Sequence, residues 1–440
     1  MNSGDRSVAR HRDRPGRQVR EHTGSYYAAT VNETTNYAPL EGSQTADVCI
    51  VGAGFTGIST ALCLAERGYS VRVVEAHRVG WGASGRNGGQ LIGGISGEER
   101  IAKQLGREVA TLLRKLRWEG HEIIRERVAT YGIDCDLKSG YLDVAIRQRH
   151  FDAFEREYDR LRDEGFPHEL RMLSREETRA VIGTDAYVGA LLNMGNGHLH
   201  PLNLCIGEAR AAASRGAVIH ERSPVTEIRR GARPTVVTAA GSVTADTVVI
   251  AGNAYHTLER DLRDLMFPVR SFIIATEPLS PATVAEINPR DLAVCDPNFV
   301  LEYFRLSADK RLLFGGRLNY AGEDANVIRT RLRKKMLRIY PQLAGARIDF
   351  AWGGTIGVPL NRVPQLGRVG PGIYYCQGYS GHGVNVTHLA GRIMADAVAG
   401  TMEHFDVFAK VRPIVLPGAY LLRRPLVALG VLYYQLRDRL

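Results

Sequence analysis

Hydrophobic and polar residues along the chain follow strand and helix periodicities that begin near residue 47. The apolar run 47–51 leads into Gly-Ala-Gly-Phe-Thr-Gly, and apolar residues then recur at helical spacing until Gly68. Residues 70–75 form a second apolar run. These three patterns predict one complete strand-turn-helix-strand unit, of the kind that opens a doubly wound domain.

The remainder of the chain predicts a mixed α/β protein. Helical spacing over residues 98–131 indicates two helices, and further helices are expected at residues 148–164, 201–216, 325–340 and 383–398. Strands are expected at residues 140–146, 218–221, 226–229, 236–239, 247–251, 272–276, 312–316 and 373–376. Because nucleotide-type elements lie at both ends with strand-rich segments between them, we predict a discontinuous Rossmann-like domain and a second domain built on an antiparallel sheet.

The two ends of the chain differ from its middle. Residues 1–24 are Arg-rich and poor in apolar residues, which predicts a disordered tail. Residues 406–440 form an apolar and basic extension, which either packs on the body or lies on a membrane surface. No apolar window approaches the roughly 20 residues of a spanning helix, and the N-terminus lacks the apolar stretch of a secretory signal. We therefore expect no transmembrane segment and a cytoplasmic location.

Charge and cysteine content exclude some classes of protein. The net charge of +10 is not gathered into a basic run interleaved with aromatic residues, so we expect no nucleic-acid partner. The six cysteines stand far apart without a CxxC pair or a nearby His cluster, so neither a metal site nor a disulfide framework is expected. Buried, reduced thiols are the simpler interpretation.

The first glycine motif has the spacing of a dinucleotide-binding turn. Gly52 permits the tight turn, Gly54 lets the backbone approach a pyrophosphate, and Gly57 lets the helix pack closely on the strand. Glu75 ends the second strand, where its carboxylate can accept hydrogen bonds from an adenosine ribose. The alternative is an ordinary turn followed by a surface glutamate.

A second glycine-rich segment, residues 78–90, follows immediately. Its small residues suit a backbone lying against a bulky ring system, and Ser84 and Arg86 can reach phosphate or ring-edge atoms. A plain nicotinamide dehydrogenase does not require such a segment, so it favours FAD over NAD. The alternative is a flexible glycine-rich loop.

A third glycine cluster, residues 378–383, lies between an expected strand and an expected helix. The helix N-terminus can stabilise the negative charge that a flavin acquires on its pyrimidine edge during reduction. His382 is a catalytic candidate there, although a histidine at a helix cap is more often structural.

These motifs, together with Ala251-Gly252-Asn253-Ala254-Tyr255 after a strand, resemble those of the D-amino-acid oxidase (DAO) family of FAD-dependent oxidoreductases. The resemblance covers residues 22–440 and extends to segments 25–29, 197–204, 303–306 and 433–440. It implies a glutathione-reductase-like FAD-binding domain at residues 45–135, 195–262 and 348–405, and a substrate domain at 136–194 and 263–347. The cofactor-binding residues that it implies are Gly52, Gly54, Phe55, Thr56, Gly57, Glu75, Ala76, Ser84, Arg86, Asn87, Gly88, Gly89, Gln90, Val225, Gly252, Gly378, Ser380, Gly381, His382 and Gly383.

The resemblance also implies an activity: oxidation of a primary amine to an imine by hydride transfer to the flavin, hydrolysis to aldehyde and ammonia, and reoxidation by molecular oxygen to give hydrogen peroxide. Candidates for the substrate-facing wall or catalysis are Tyr303, Arg305, Trp352, Tyr379 and His382, with Arg305 a candidate carboxylate ligand. Ordinary core aromatics and a surface arginine are the alternatives. No residue is identified as the base that keeps the amine neutral.

Two departures from relatives affect the expected chemistry. Residues 78–90 contain no histidine and Cys376 falls inside an expected strand, so we predict non-covalent FAD. No lysine falls in these motifs, which leaves open the step that activates oxygen. A dehydrogenase of the same fold, acting on a D-amino acid or secondary amine and passing electrons to a quinone or partner protein, is the main alternative. A non-enzymatic flavin-binding protein is a third hypothesis.

Overall fold

Two β-sheets organise the molecule, and the chain passes repeatedly between them. The structure is a computed structural model that describes residues 20–256, 258–298, 301–319, 325–415 and 430. The strands are β1 (Gly42–Val51), β2 (Val71–Val74), β3 (Gln90–Leu91), β4 (Lys138–Ala145), β5 (Leu170–Ser174), β6 (Gly189–His198), β7 (Val218–His220), β8 (Glu227–Arg229), β9 (Thr235–Val237), β10 (Gly241–Ile250), β11 (Phe267–Thr276), β12 (Ala293–Cys295), β13 (Glu302–Leu306), β14 (Leu312–Asn319), β15 (Ile348–Val358), β16 (Gln365–Gly370) and β17 (Ile373–Gln377).

Helices flank both sheets. They are α1 (Tyr26–Ala29), α2 (Phe55–Glu66), α3 (Glu98–Leu105), α4 (Arg107–Leu116), α5 (Glu119–Tyr131), α6 (Gln148–Asp163), α7 (Arg175–Ile182), α8 (Pro201–Ser214), α9 (Arg260–Arg263), α10 (Pro281–Ile287), α11 (Ala325–Ile339), α12 (Gly383–Val398) and α13 (Glu403–Ala409). Among the described residues, no helix combines the length and apolar content needed to cross a bilayer.

The first sheet has the strand order β16-β17-β10-β1-β2-β7, with β9 and β8 added beside β10. Strands β17, β10, β1, β2 and β7 are parallel neighbours, whereas β16 and β9 pair antiparallel. Their apolar residues are buried on both faces, as parallel sheets require. This arrangement confirms the predicted doubly wound domain.

The second sheet has the order β15-β11-β14-β13-β12-β4-β6-β3, with β5 paired to β6. All its pairs are antiparallel except β12 with β4. One face packs on α11, where Leu332 and Met336 meet Phe304 and Phe314 in a buried cluster. The other face turns toward the first sheet, because Ile273 and Trp352 belong to the same core as α2, α8 and α12.

Several expected boundaries need correction. Residues 98–131 form three helices rather than two, because Gly106, at φ +95, ends α3 and begins α4. Strand β15 begins at the expected start of the last FAD-domain segment but pairs with β11 of the second sheet, and β3 likewise joins the second sheet. The division into domains stays a prediction, with β15 and β3 moved to the sheet in which they pair.

The ends of the chain are only partly described. Residues 1–19 of the expected tail, and most of the extension after residue 415, lie outside the described residues. Residues 20–24 do not belong to a loose tail, because the Glu21 carboxylate pairs with Arg78 at 2.8 Å and the Glu21 carbonyl accepts from Trp81 Nε1 at 2.9 Å. All six cysteines lie in the described part of the chain, and each is buried and free.

Candidate active site

The expected motifs converge at one edge of the first sheet. Strands β17, β10, β1 and β2 are adjacent and parallel, so their carboxyl ends lie side by side. Each is followed by an expected segment: 378–383, 251–255, 52–57 and Glu75 respectively. The carboxyl edge of such a sheet is where doubly wound folds bind dinucleotides.

The first turn depends on glycine at three positions. Gly52 has φ +107, a conformation that side-chain-bearing residues rarely adopt. A Cβ on Gly57 would overlap the Gly52 carbonyl oxygen, and one on Gly54 would lie 2.9 Å from Ser84 Oγ. Ser84 Oγ also accepts from the N–H of Phe55, the first residue of α2, at 2.9 Å. The turn thus brings the helix N-terminus and the second glycine-rich segment together.

Glu75 and the segment after β7 form the adenosine side of the crevice in the predicted arrangement. The Glu75 carboxylate accepts from the N–H groups of Ala53 and His77, each at 2.8 Å. Ala76 lies between Glu75 and His77 in the chain. Burial raises the pKa of Glu75, while these hydrogen bonds oppose the shift. The Glu75 carbonyl accepts from Ser223 N at 2.8 Å, which places Val225 two residues away along the chain.

The loop of residues 82–90 is held by its own asparagine. Asn87 Nδ2 donates to the carbonyls of Ala83 and Ser84 at 3.1 and 2.8 Å, and its Oδ1 accepts from Gly89 N at 2.8 Å. Gln90 Nε2 then donates to the Val294 carbonyl of β12 at 3.0 Å. The segment is therefore an ordered loop joining the two sheets, not the flexible one of the alternative interpretation.

The glycines of this loop allow close contact with aromatic residues of the second sheet. A Cβ on Gly88 would lie 2.5 Å from the Tyr303 ring, and one on Gly89, at φ +69, would overlap the Leu199 carbonyl oxygen. Trp352 Nε1 donates to the Arg86 carbonyl at 3.1 Å. The loop thus packs against two of the expected wall residues, Tyr303 and Trp352.

Arg86 has an unusual environment for a cation. Its guanidinium stacks over the Trp81 ring at 4.1 Å, and its Nε is buried without a hydrogen-bond partner among the described residues. Burial lowers the pKa of Arg86. A buried donor without an acceptor is costly, and an anionic ligand such as a phosphate would satisfy it.

Side chains connect the segment 251–255, the segment 378–383 and the first glycine turn. Asn253, beside Gly252, accepts from Gly378 N at 3.1 Å through its Oδ1. Thr56 Oγ1 donates to the Tyr379 hydroxyl at 2.8 Å, which ties the first glycine turn to the last one. Gly378 and Gly381 have φ +79 and +91, and Ser380, at φ +53, donates from its hydroxyl to the Arg362 carbonyl. Tyr379 therefore positions the turns and, at 6% exposed, is not part of an open wall.

His382 caps α12 immediately before Gly383. It makes no side-chain capping hydrogen bond, and its own N–H donates to the Tyr379 carbonyl at 3.0 Å. Burial, followed by the charge of Arg362, lowers the pKa of His382 to about 4. The imidazole is therefore neutral near pH 7, beside the positive end of the helix dipole.

A row of paired residues crosses the site-facing side of the second sheet. Trp352 pairs with Ile273, Ile273 with Gly315, and Gly315 with Tyr303. Tyr303 then pairs with Cys295, and Cys295 with Asp143. Directly paired residues point to the same face, so this row leads from the glycine-rich loop to a carboxyl group.

The far part of this row is apolar apart from that carboxyl group. Tyr141 and Cys295 are buried, with Ile92, Leu301 and Tyr303 packed against them. Burial, and then the charge of Glu157, raises the pKa of Asp143 to about 7. Asp143 is thus a titratable group close to neutrality on the face that meets the loop.

Arg305 does not occupy the position expected of a substrate ligand. It is 2% exposed, and its guanidinium donates to the carbonyls of Gly88, Leu306 and Leu199 at 2.8, 3.0 and 2.7 Å. It also donates to the Tyr27 hydroxyl at 3.2 Å. The hypothesis that Arg305 binds a substrate carboxylate is therefore wrong for this structure, because backbone oxygens already satisfy it.

Sequence reasoning missed several residues of the site. Asn253 belongs to the segment 251–255, but its sequence position indicates no role. Trp81 lies inside the glycine-rich segment 78–90, where a large aromatic residue is unusual. Asp143 carries no local signal, because its position opposite Cys295 depends on strands about 150 residues apart. Register between distant strands cannot be derived from local periodicity.

The crevice fits an FAD group on its own residues. The glycine turns leave room where a Cβ would clash, Arg86 Nε lacks an acceptor among the described residues, and Glu75 directly follows β2, where a ribose is expected. The first turn of α2 adds N–H groups at the positive end of its dipole.

Comparison with known proteins agrees. Residues 47–397 match the model of the DAO family, FAD dependent oxidoreductase. The chain belongs to this family and is an FAD-dependent oxidoreductase, which confirms the resemblance found in its motifs. It is 44% identical, over 96% of its length and 99% of the relative's, to gamma-glutamylputrescine oxidoreductase of Escherichia coli (strain K12).

Solved structures share the fold. Glycine oxidase from Geobacillus kaustophilus superposes with a TM-score of 0.69 at 24% identity, covering 84% of this chain and 100% of that one. L-amino acid deaminase from Proteus vulgaris gives a TM-score of 0.69 at 19% identity, covering 88% and 98%. At these identities the likeness supports the fold alone.

Proposed function

We propose that this protein oxidises gamma-glutamylputrescine, in the catabolism of putrescine, converting its primary amine to an aldehyde with release of ammonia. The observation that carries the proposal is the 44% identity to gamma-glutamylputrescine oxidoreductase, which extends over nearly the whole of both chains. The matched region spans the segments that form the substrate face as well as those of the flavin crevice.

The bound FAD supplies a two-electron acceptor for the hydride that leaves the carbon beside the amine. The chain's own residues prepare the substrate for that step. Tyr303, which is partly exposed, gives an aromatic wall beside the loop of residues 82–90, and the buried Trp352 holds that loop through the Arg86 carbonyl. Such a wall excludes water and favours the uncharged amine, which is the form that can lose hydride.

Two groups of the site have protonation states near neutral pH that suit this step. Asp143, whose pKa is raised to about 7, can hold or accept a proton near neutral pH. His382 is neutral at that pH and lies at the N-terminus of α12, whose dipole favours the added negative charge.

We further propose that FAD binds without a covalent link and that molecular oxygen accepts the electrons, forming hydrogen peroxide. Cys376 lies inside β17 at 1% exposure, and burial raises the pKa of its thiol to about 12, so it is a poor nucleophile. The oxygen assignment follows the resemblance of the motifs. Lys138 of β4 and Lys310, between β13 and β14, both pair with Asp291. Neither ammonium group is therefore free to activate oxygen.

The test is anaerobic mixing of the purified yellow protein with gamma-glutamylputrescine, putrescine and a D-amino acid in parallel, followed by admission of air. We expect rapid flavin bleaching by gamma-glutamylputrescine alone, and peroxide release with recovery of the yellow colour in air. Acid precipitation should leave the flavin in the supernatant. If only another amine bleaches the flavin, gamma-glutamylputrescine is not the substrate. A reduced flavin that persists in air would favour a dehydrogenase that uses a quinone or a partner protein.

A further inference from the structure

Arg117, between α4 and α5, is a buried cation with unused donors. It is 9% exposed, and its Nε and Nη1 have no hydrogen-bond partner among the described residues. Only Nη2 is engaged, at 3.4 Å from Glu157 Oε1 and 3.6 Å from Glu98 Oε1. Donors buried in this way normally meet an acceptor. Neither neighbouring carboxylate supplies one to Nε or Nη1, so two donors remain available to a ligand.

Glu98 has the complementary deficit. Its Oε2 is buried and also lacks a hydrogen-bond partner in the described part of the chain. Burial raises the pKa of Glu98, and the charge of Arg117 opposes the shift. A guanidinium lacking acceptors beside a carboxylate oxygen lacking a donor suits a ligand that carries both a carboxylate and an ammonium.

The backbone of Arg117 is tied to the flavin crevice. Its carbonyl accepts from Gly94 N at 3.0 Å and from Asn385 Nδ2 at 2.9 Å. Asn385 is the third residue of α12, whose N-terminus lies in the crevice. Gly94 follows Ile92 by two residues, or at most about 7 Å of chain, and Ile92 and Tyr303 pack against the same buried cluster of Tyr141, Ala293 and Cys295.

The row of paired residues leads to the same place. Asp143 lies two strands from Tyr303, roughly 10 Å away, and the charge of Glu157 contributes to its raised pKa. Glu157 is also a partner of Arg117. The aromatic wall and the Arg117 cluster are therefore two ends of one face.

We propose that Arg117 and Glu98, with Glu157 beside them, form a distal subsite that binds the zwitterionic α-amino-acid head of the substrate. The proposal rests on the proposed function and specifies how a glutamyl group is selected. In gamma-glutamylputrescine the reacting amine and the α-carbon of the glutamyl head are separated by nine bonds, or roughly 11 Å when extended. That length is close to the two strand spacings between Tyr303 and Asp143, the residue influenced by Glu157.

The test compares Arg117→Gln with the wild-type holoenzyme on gamma-glutamylputrescine and on N-acetylputrescine, which has the same amine but no charged head. We expect KM for gamma-glutamylputrescine to rise about 10- to 100-fold with little change in kcat, the loss of one charge-assisted hydrogen bond. KM for N-acetylputrescine should stay within about 3-fold. Glu98→Gln should show the same selectivity, which guards against a folding defect in one variant.

Arg160→Gln is the matched control. Arg160 also pairs with Glu157, but its side chain is 34% exposed and faces Glu164 as well. It should leave both KM values unchanged. Flavin content and melting temperature are measured for all variants.

A binding measurement separates this proposal from the proposed function. Calorimetric titration of wild type and Arg117→Gln with gamma-glutamylethylamide, which has the head but no distal amine, should show binding lost in the variant. If gamma-glutamylputrescine fails to bleach wild-type flavin, the proposed function fails while this titration still judges the subsite. The subsite would be overturned by an equal rise in KM for both amines, or by unchanged KM values. Tighter binding of putrescine by Arg117→Gln, or no binding of gamma-glutamylethylamide to wild type, would overturn it as well.

Discussion

Arg127 and Arg117 stand ten residues apart, both are buried, and they differ in how their donors are used. Arg127 donates to Glu208 at 2.8 Å, to Ser59 Oγ at 2.9 Å and to Cys63 Sγ at 3.1 Å. Glu208 accepts as well from His388 Nε2 at 3.0 Å, which joins α2, α5, α8 and α12. Arg117 leaves two nitrogens without acceptors in the part of the chain that the structure describes. A buried charge that the protein satisfies is structural, and one that it leaves unsatisfied indicates a ligand.

The largest expected effect comes from breaking the satisfied network. Glu208→Ala leaves the Arg127 charge buried without its carboxylate, and should lower the free energy of unfolding by about 3–5 kcal/mol. Urea denaturation followed by circular dichroism measures it. Asp396→Ala, which removes an exposed partner of Arg67, is the control and should cost no more than about 1 kcal/mol. Similar losses in the two variants would contradict the structural role of Glu208.

A second arginine tests the contrast directly. Arg305→Met removes hydrogen bonds to three backbone carbonyls and should lower the free energy of unfolding by about 2–3 kcal/mol, with weaker flavin retention. Because Arg305 is already satisfied, the ratio of kcat/KM between gamma-glutamylputrescine and N-acetylputrescine should not change. Steady-state kinetics at saturating FAD measures the ratio, and a selective loss on the glutamyl substrate would return Arg305 to the substrate site.

A third expected effect concerns Asp143 and appears only as the pH rises. Its pKa is raised to about 7 in the folded protein, so the folded state holds this proton more tightly than the unfolded state does. Stability should therefore fall as pH rises from about 4 to about 7 and then level off. Asp143→Asn lacks this loss and should be more stable than wild type at pH 8 by up to about 4 kcal/mol, because the shift is about three pKa units, with little difference near pH 4. Denaturant unfolding at both pH values checks it, and identical pH dependence in the two proteins would refute the raised pKa.

The cofactor half of the site could be predicted from the sequence because its requirements are local. Gly52 and Gly57 are needed by the turn that contains them, and the strand and helix beside them carry their own periodicity. The substrate half depends on pairs that are distant in sequence. Arg305 meets carbonyls 106 and 217 residues away, and nothing near it in the chain distinguishes those partners from a substrate carboxylate.

The same reasoning explains the errors in the fold. The expected FAD-domain segment 348–405 includes β15 because local sequence does not show which sheet a segment joins. Arg117 has no sequence signal at all, since what singles it out is that its Nε and Nη1 lack acceptors among the described residues.

The interleaved path of the chain also has a consequence for the order of events during synthesis. Strand β10 is complete at residue 250, but its parallel neighbour β17 begins only at Ile373, after all of β11–β15. Tyr379, which holds the first glycine turn through Thr56, follows later still. A ribosome must therefore release α12 before the crevice has all its walls, so the nascent chain can acquire its yellow colour only near the end of translation.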